Sequence, residues 1–418
     1  MFLFRLFSFF SSYANSFERK ADRFFKHIRA SDGRQATERK LGELMQEDLV
    51  SLNLWMEKKY KNYVYLKKRV RRKMYKNVEE MKRDFFRFCE KNPPDLVRLQ
   101  SQFEKLGILF PGHIPEKILH LACIMAYLRP GFLYHYEEAS NFGKLLKNPT
   151  QEPLIGDCNQ IVTLYAYLYS LKFPISDLQI KLLPRHVCLH FQGVDIEATN
   201  ATFQKYEKFD YLLPITELLS TNLLDVNDEE AKTKKIDERT VVKRAELAYL
   251  ISSLRDVVDR NLKISYQNLG VSLLNQHRYE SAIFYLEKIN EPALLQNAYR
   301  NATIYYMNQN DFKKARYFAR YCGDAELEHS LPYREGVYYY QKKSYNEALP
   351  FFKQAGDDRM VKACYQGQYN VLASRIPHAK TLSEARAYRS TYQKLVELAH
   401  LAGNEEAEES VRKILRQF

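Results

Sequence analysis

Apolar positions recur mostly at three- and four-residue steps between residues 36 and 92. Leu41, Leu44, Leu49, Leu52, Leu54 and Trp55 form a stripe that predicts one or two long amphipathic helices, ended by Pro93-Pro94. Residues 115–127 predict an apolar helix closed by Pro130-Gly131, and residues 131–157, with Pro149, Pro153 and Gly156, predict loop. Residues 158–171 carry Ile161, Leu164, Tyr165, Leu168 and Tyr169 at the spacing of a buried helix. Residues 187–191 and 194–199 predict two strands joined by a Gln192-Gly193 turn. Residues 225–239 are polar and charge-rich, the composition of a linker. The first 13 residues are apolar but too short to span a bilayer, and Arg5 interrupts them. They are expected to dock on the protein as a helix, with a membrane-surface anchor or a secretory signal as the alternatives.

From about residue 262 the pattern repeats. Tyr279, Phe312 and Tyr345 are spaced by 33 residues, as are Ala282, Ala315 and Ala348. Gly270/Thr303/Gly336, Leu273/Tyr306/Tyr339, Leu286/Ala319/Phe352 and Ile289/Cys322/Ala355 keep the same period. Small residues let two antiparallel helices approach, and aromatics fill the space between neighbouring pairs. The array resembles the tetratricopeptide repeat, one residue short of that family's usual period. A fourth copy is expected around Leu382 and Ala385, and a charged helix over 405–416 is expected to cap the stack.

Charge changes the picture at one end. The chain of 418 residues has a net charge of +13, and residues 1–110 hold 25 Lys/Arg against 14 Asp/Glu, an excess of 11. The basic runs at 58–61 and 67–73, interleaved with tyrosines, are expected to be a solvated helix face; nucleic acid or an anionic membrane surface are the alternative partners. The six cysteines, Cys89, Cys123, Cys158, Cys188, Cys322 and Cys364, lie far apart with no CxxC pair. They predict reduced thiols and a cytoplasmic place, with peripheral membrane attachment through the apolar N-terminus as an addition. No metal-ligand spacing is present, and no cofactor is expected.

The candidate chemistry lies in Gly156-Asp157-Cys158, Pro184-Arg185-His186 and Val194-Asp195-Ile196-Glu197-Ala198-Thr199. A cysteine in the first turn of a helix faces unpaired N–H groups and the positive end of the helix dipole, both of which favour thiolate. Gly156 allows a sharp entry to that turn. A histidine opening a strand can reach the sulfur, and an acid on the next antiparallel strand can orient the imidazole. With Gln192-Gly193 as a two-residue turn, His190 faces Asp195, Cys188 faces Glu197 and His186 faces Thr199. Glu197 is then diagonal to His186, and Asp195, on the same sheet face, lies nearer His190. A one-residue bulge would alter the pairing, so both acids remain open as the third member. His190 is expected to be structural and Cys188 a small core residue. The backbone N–H of Cys158 is one oxyanion donor; Asn141 and Gln151 are nearby, but neither is assigned as the second.

These residues, over roughly 140–200, resemble the transglutaminase-like branch of the papain-type cysteine enzymes. The resemblance implies Cys158 as nucleophile, His186 as base and Glu197 as orienting acid, where the family usually has aspartate. The implied fold class is an α+β papain-like, transglutaminase-like core, with a mainly helical N-terminal region and a C-terminal all-α TPR-like solenoid. The domains are then 1–112 (basic, helical), 113–224 (cysteine domain), 225–261 (linker and connecting helix) and 262–418 (repeats). The implied function is a cysteine enzyme acting on amide bonds of a protein or peptide (protease, deamidase or acyl transferase), its substrate held by the repeats. The alternative is an inactive scaffold that works as an adaptor.

Overall fold

The computed structural model describes residues 12–138, 140–225, 237–377 and 382–417. The apolar N-terminal stretch up to residue 11 and most of the expected linker lie outside these. Two compact units meet at 268/269. The expected α+β class is overturned: helices make up 67% of the structure and strands 7%, so the fold is helix-rich with a small antiparallel sheet in its middle. The reason is local. The main sheet is drawn from residues 179–214 alone, in strands of three to six residues, while the apolar stripes on either side wind into long helices.

The first unit opens with α1 (Ser16–His27), α2 (Arg34–Met56), α3 (Lys68–Lys91), α4 (Leu96–Lys105) and α5 (Pro115–Tyr127). Strands β1 (Tyr134–Tyr136) and β2 (Leu154–Gly156) form a parallel pair just ahead of α6 (Cys158–Ser170). The main sheet contains β3 (Gln179–Leu183), β4 (His186–Phe191), β5 (Val194–Glu197), β6 (Thr202–Gln204) and β7 (Tyr211–Pro214), in the order β6-β5-β4-β3-β7, antiparallel throughout. Helices α7 (Glu217–Leu224), α8 (Glu238–Ile251) and most of α9 (Arg255–Asn275) follow.

Helix α6 is the hub of this unit, packing on α2, α5, α7 and β4. It is apolar on nearly every face, as a helix surrounded by others must be, and Ile161, Leu164, Tyr165 and Leu168 are buried. One continuous apolar cluster takes in Leu41 of α2, Phe85 of α3, Leu121 of α5, Leu164 of α6 and Leu189 of β4. The stretches 1–112 and 113–224, expected as separate domains, both contribute to it.

Two expectations about the N-terminal helices are corrected. Not all of the basic run is solvated: Arg71 is buried, its Nε 2.7 Å from Glu18 Oε1, and it donates to the Leu66 carbonyl at 2.6 Å. Lys58, Lys59 and Lys61 fall in a π-helical turn, Glu57–Lys61, rather than on the face of α3. The cysteines are not all reduced either. Cys89 of α3 and Cys123 of α5 are joined in a disulfide, 34 residues apart in sequence and 5.9 Å apart between Cα atoms. Packing of α3 on α5 brings them together, which spacing along the chain does not reveal.

The second unit is an array of helical hairpins: the end of α9 with α10 (Tyr279–Leu286), α11 (Pro292–Asn308) with α12 (Phe312–Cys322), and α13 (Ala325–Gln341) with α14 (Tyr345–Ala355). After these come α15 (Asp358–Ala373), α16 (Leu382–Ala387), α17 (Arg389–Ala402) and α18 (Glu405–Leu415). The 33-residue period extends to the backbone. His277, Asn310 and Lys343 are left-handed at the turn inside each hairpin, and Asn290, Gly323 and Gly356 are left-handed between hairpins. Asp324 and Asp357, one period apart, cap the next helices by accepting from Leu327 N and Met360 N. The small-residue column works by close approach: a Cβ on Gly336 would lie 2.9 Å from the Phe352 ring. The side chains of Leu382 and Ala385, on which a fourth copy was expected, lie outside the described residues. Among the described residues, no helix is long and apolar enough to cross a membrane.

Candidate active site

Cys158 is the first residue of α6, and the helix start is held by a capping box. Asp157 Oδ1 accepts from the backbone N–H groups of Asn159 and Gln160 at 3.0 and 3.3 Å. The Gln160 side chain reaches back to Asp157 N at 3.2 Å. Gly156 is needed for a reason other than the expected sharp turn. A Cβ there would meet Leu145 at 2.9 Å, so β2 could not lie against that side chain. Cys158 is half-buried, whereas the other free thiols, Cys188, Cys322 and Cys364, are buried.

His186 opens β4 after a turn in which Arg185 is left-handed, with φ of 60°. Its Nε2 lies 2.7 Å from Glu197 Oε2. Hydrogen bonding to the Cys158 sulfur, then to Glu197, pushes the His186 imidazolium up to about 10, against the opposing pull of burial. Glu197 is 2% exposed, and both of its oxygens are satisfied. Oε1 accepts from Thr199 N at 3.1 Å and Thr199 Oγ1 at 2.5 Å; Oε2 accepts from Tyr206 Oη at 2.9 Å as well as from His186. Burial raises the pKa of this carboxyl, but hydrogen bonds from His186 and Thr199 outweigh it and hold the pKa below the usual value.

Asp195, the other acid left open, lies elsewhere. The register pairs His190 with Asp195 across a turn in which Gln192 and Gly193 are both left-handed, as the two-residue turn predicts. His190 Nδ1 is 2.6 Å from Asp195 Oδ1, and Gly193 N donates to His190 Nε2 at 3.3 Å, which puts the ring proton on Nδ1. Lys181 Nζ reaches Asp195 at 2.7 Å, and Tyr206 N donates to Asp195 Oδ2 at 2.7 Å. The structure therefore brings Cys158, His186 and Glu197 together, and places Asp195 and His190 in a neighbouring cluster with Lys181. Burial, then the charges of Asp195 and Glu197, push the Cys188 thiol well up, which keeps it protonated.

Sequence reasoning missed Tyr206 and Lys181. Tyr206 follows β6 in a loop without periodicity, and nothing in its local sequence marks it. At the other end of the site, Tyr134 Oη donates to the Gly156 carbonyl at 2.9 Å, and the half-exposed Tyr136 pairs with Gly156 across the β1–β2 ladder. Burial and then Asp225 push the Asp157 carboxyl up to about 6. Asp225 itself accepts from Asn159 Nδ2 at 2.9 Å. Among the described residues, no group of three or more His, Cys, Asp or Glu side chains is arranged to hold a metal ion. Comparisons with family models, curated proteins and solved structures found no match for this chain.

Proposed function

We propose that the chain is a cysteine-dependent enzyme acting on amide bonds of a protein or peptide substrate. The observation that carries the reading is one imidazole held by a carboxylate at 2.7 Å and within electrostatic reach of a half-buried cysteine at a helix N-terminus. In this reaction the Cys158 sulfur forms a bond to the substrate carbonyl carbon. The C–N bond breaks, the amine leaves with the proton held by His186, and a thioester remains. Water or a second amine then attacks the thioester, its proton passes to His186, and Cys158 is released. The Cys158 backbone N–H at the start of α6 is the donor assigned to the carbonyl oxygen.

Alkylation with iodoacetamide, followed by peptide mass spectrometry, tests this reading. Cys188, Cys322 and Cys364 are shielded by burial, so slower labelling at those positions decides nothing. The informative comparison is Cys158 with itself. His186→Ala is expected to slow its labelling at pH 7 about tenfold, through loss of the base beside the sulfur. An unchanged rate in a folded variant leaves the non-enzymatic adaptor reading.

The helical repeats are proposed to hold the protein substrate, and the basic N-terminal helices to face an anionic surface. Binding to anionic vesicles that weakens steeply with salt would support the second role. The cytoplasmic place proposed for the free thiols has the Cys89–Cys123 bond against it. Non-reducing electrophoresis of thiol-blocked cell extract decides whether that bond exists in the cell.

A further inference from the structure

The polar side chains on one side of the sheet form two carboxylate clusters, Glu197 with His186 and Asp195 with His190 and Lys181. Tyr206 joins them. Its backbone N–H is fixed on Asp195 Oδ2 at 2.7 Å, its carbonyl accepts from Lys181 Nζ at 3.3 Å, and its hydroxyl donates to Glu197 Oε2 at 2.9 Å. That oxygen is the one 2.7 Å from His186 Nε2, while Thr199 holds the other oxygen with two donors. Thr199 alone is therefore enough to orient the carboxylate. The Tyr206 hydroxyl competes with His186 for the charge of a single oxygen.

We propose that Tyr206 is a positioning residue that divides the charge on Glu197 Oε2 and so limits how tightly His186 holds its proton. The mechanistic value of the device rests on the cysteine-enzyme reading. An imidazolium that binds its proton too strongly is a poor acid toward a leaving amine, and a second donor on its carboxylate weakens that hold. Tyr206 can serve as a donor throughout the working range, because burial and then Glu197 raise its phenol well above the usual value. The other groups nearby are Cys158 from α6, which contributes most to the basicity of His186, and Asp195 and Cys188, which lie within electrostatic range of Tyr206. Tyr134 and Tyr165 lie within electrostatic range of Glu197 and are neutral.

The test is a pH titration of His186 in the full chain, followed by NMR of carbon-13-labelled histidine, with the signal assigned through His186→Ala. It is run in the native protein and in Cys158→Ser, where loss of the sulfur brings the midpoint down to a milder pH. Tyr206→Phe keeps the ring and the backbone bond to Asp195, and is expected to raise the His186 midpoint by about half a pH unit in either background. Replacing Tyr206 with 3-fluorotyrosine, a stronger donor of the same shape, is expected to lower it. It also decides the matter if the phenylalanine variant does not fold. An unmoved midpoint, or shifts of the opposite sign, overturns the proposal and leaves Tyr206 as packing. The outcome is independent of the alkylation experiment, so failure of the cysteine-enzyme reading and failure of this proposal are told apart.

Discussion

Both oxygens of Glu197 are occupied, and Thr199 provides two of the four bonds. Glu197→Gln keeps the shape but removes the charge that favours the imidazolium, so the His186 midpoint should fall from about 10. Cys158→Ser should lower it further, because the sulfur makes the larger contribution. Histidine NMR measures both. The sign for stability follows from a folded value raised above the ordinary 6.5: the contribution is fully present below pH 6.5 and is lost as pH rises through about 10. Denaturant unfolding at pH 6, 8 and 10 should therefore show a loss toward pH 10 that His186→Ala lacks. His120 behaves oppositely. It is 6% exposed, its Nε2 is 3.1 Å from the Leu168 carbonyl, and burial pushes it down to about 4. Its stabilising contribution is present above 6.5 and is lost as pH falls toward 4, by about 3 kcal/mol at most. His120→Asn should reduce the slope of stability against pH over that range.

At the scale of elements, the charged pair between α1 and α3 and the small-residue column of the hairpins carry most risk. Glu18 is fully buried, and Arg71, which pairs with it, is also buried. Tyr75 Oη donates to the same carboxylate at 2.6 Å. Glu18→Gln leaves the guanidinium in the core without its counter-charge and should cost about 3–5 kcal/mol in chemical denaturation. Replacing Glu18 and Arg71 together with apolar residues of similar volume should cost much less. In the hairpin array, Gly336→Val should push the Phe352 ring aside and destabilise the second unit by about 1–3 kcal/mol. The same substitution at the exposed Gly112, where a Cβ meets nothing within 4 Å, should be close to neutral. Hydrogen exchange resolved by unit would place the loss in the hairpins.

For the whole molecule, the Cys89–Cys123 bond closes a loop of 34 residues that takes in the end of α3, all of α4 and most of α5. Cross-linking a loop of that size removes unfolded-state entropy worth about 4 kcal/mol. Cys89→Ser with Cys123→Ser should accordingly lower the midpoint of thermal unfolding, and a reducing agent should lower it in the native chain but not in the double variant. The excess positive charge also belongs to one part of the chain. Any electrostatic association it drives should weaken with ionic strength, at a rate set by the exposed Arg69, Arg72, Lys73 and Lys76 and not by the buried Arg71.

What the chain determines by itself is mostly local and periodic. The helix opening at Cys158, the turn at Gln192-Gly193 and the 33-residue spacing of Ala282, Ala315 and Ala348 are written in short-range patterns, because caps, turns and hairpin contacts depend on residues near in sequence. The residues to examine for chemistry were legible for the same reason, since His186 and Glu197 are separated by a single turn. Tertiary structure decided the rest. It surrounded a short sheet with helices and so overturned the α+β class, bonded two cysteines that spacing kept apart, and drew Arg71 out of a basic run into the core. It also brought Tyr206 onto Glu197 from a loop with no pattern of its own. Each of these depends on which helix or loop packs on which, and that is fixed by the shared burial of distant apolar faces and by the pairing of buried charges, neither of which leaves a periodic trace in the sequence.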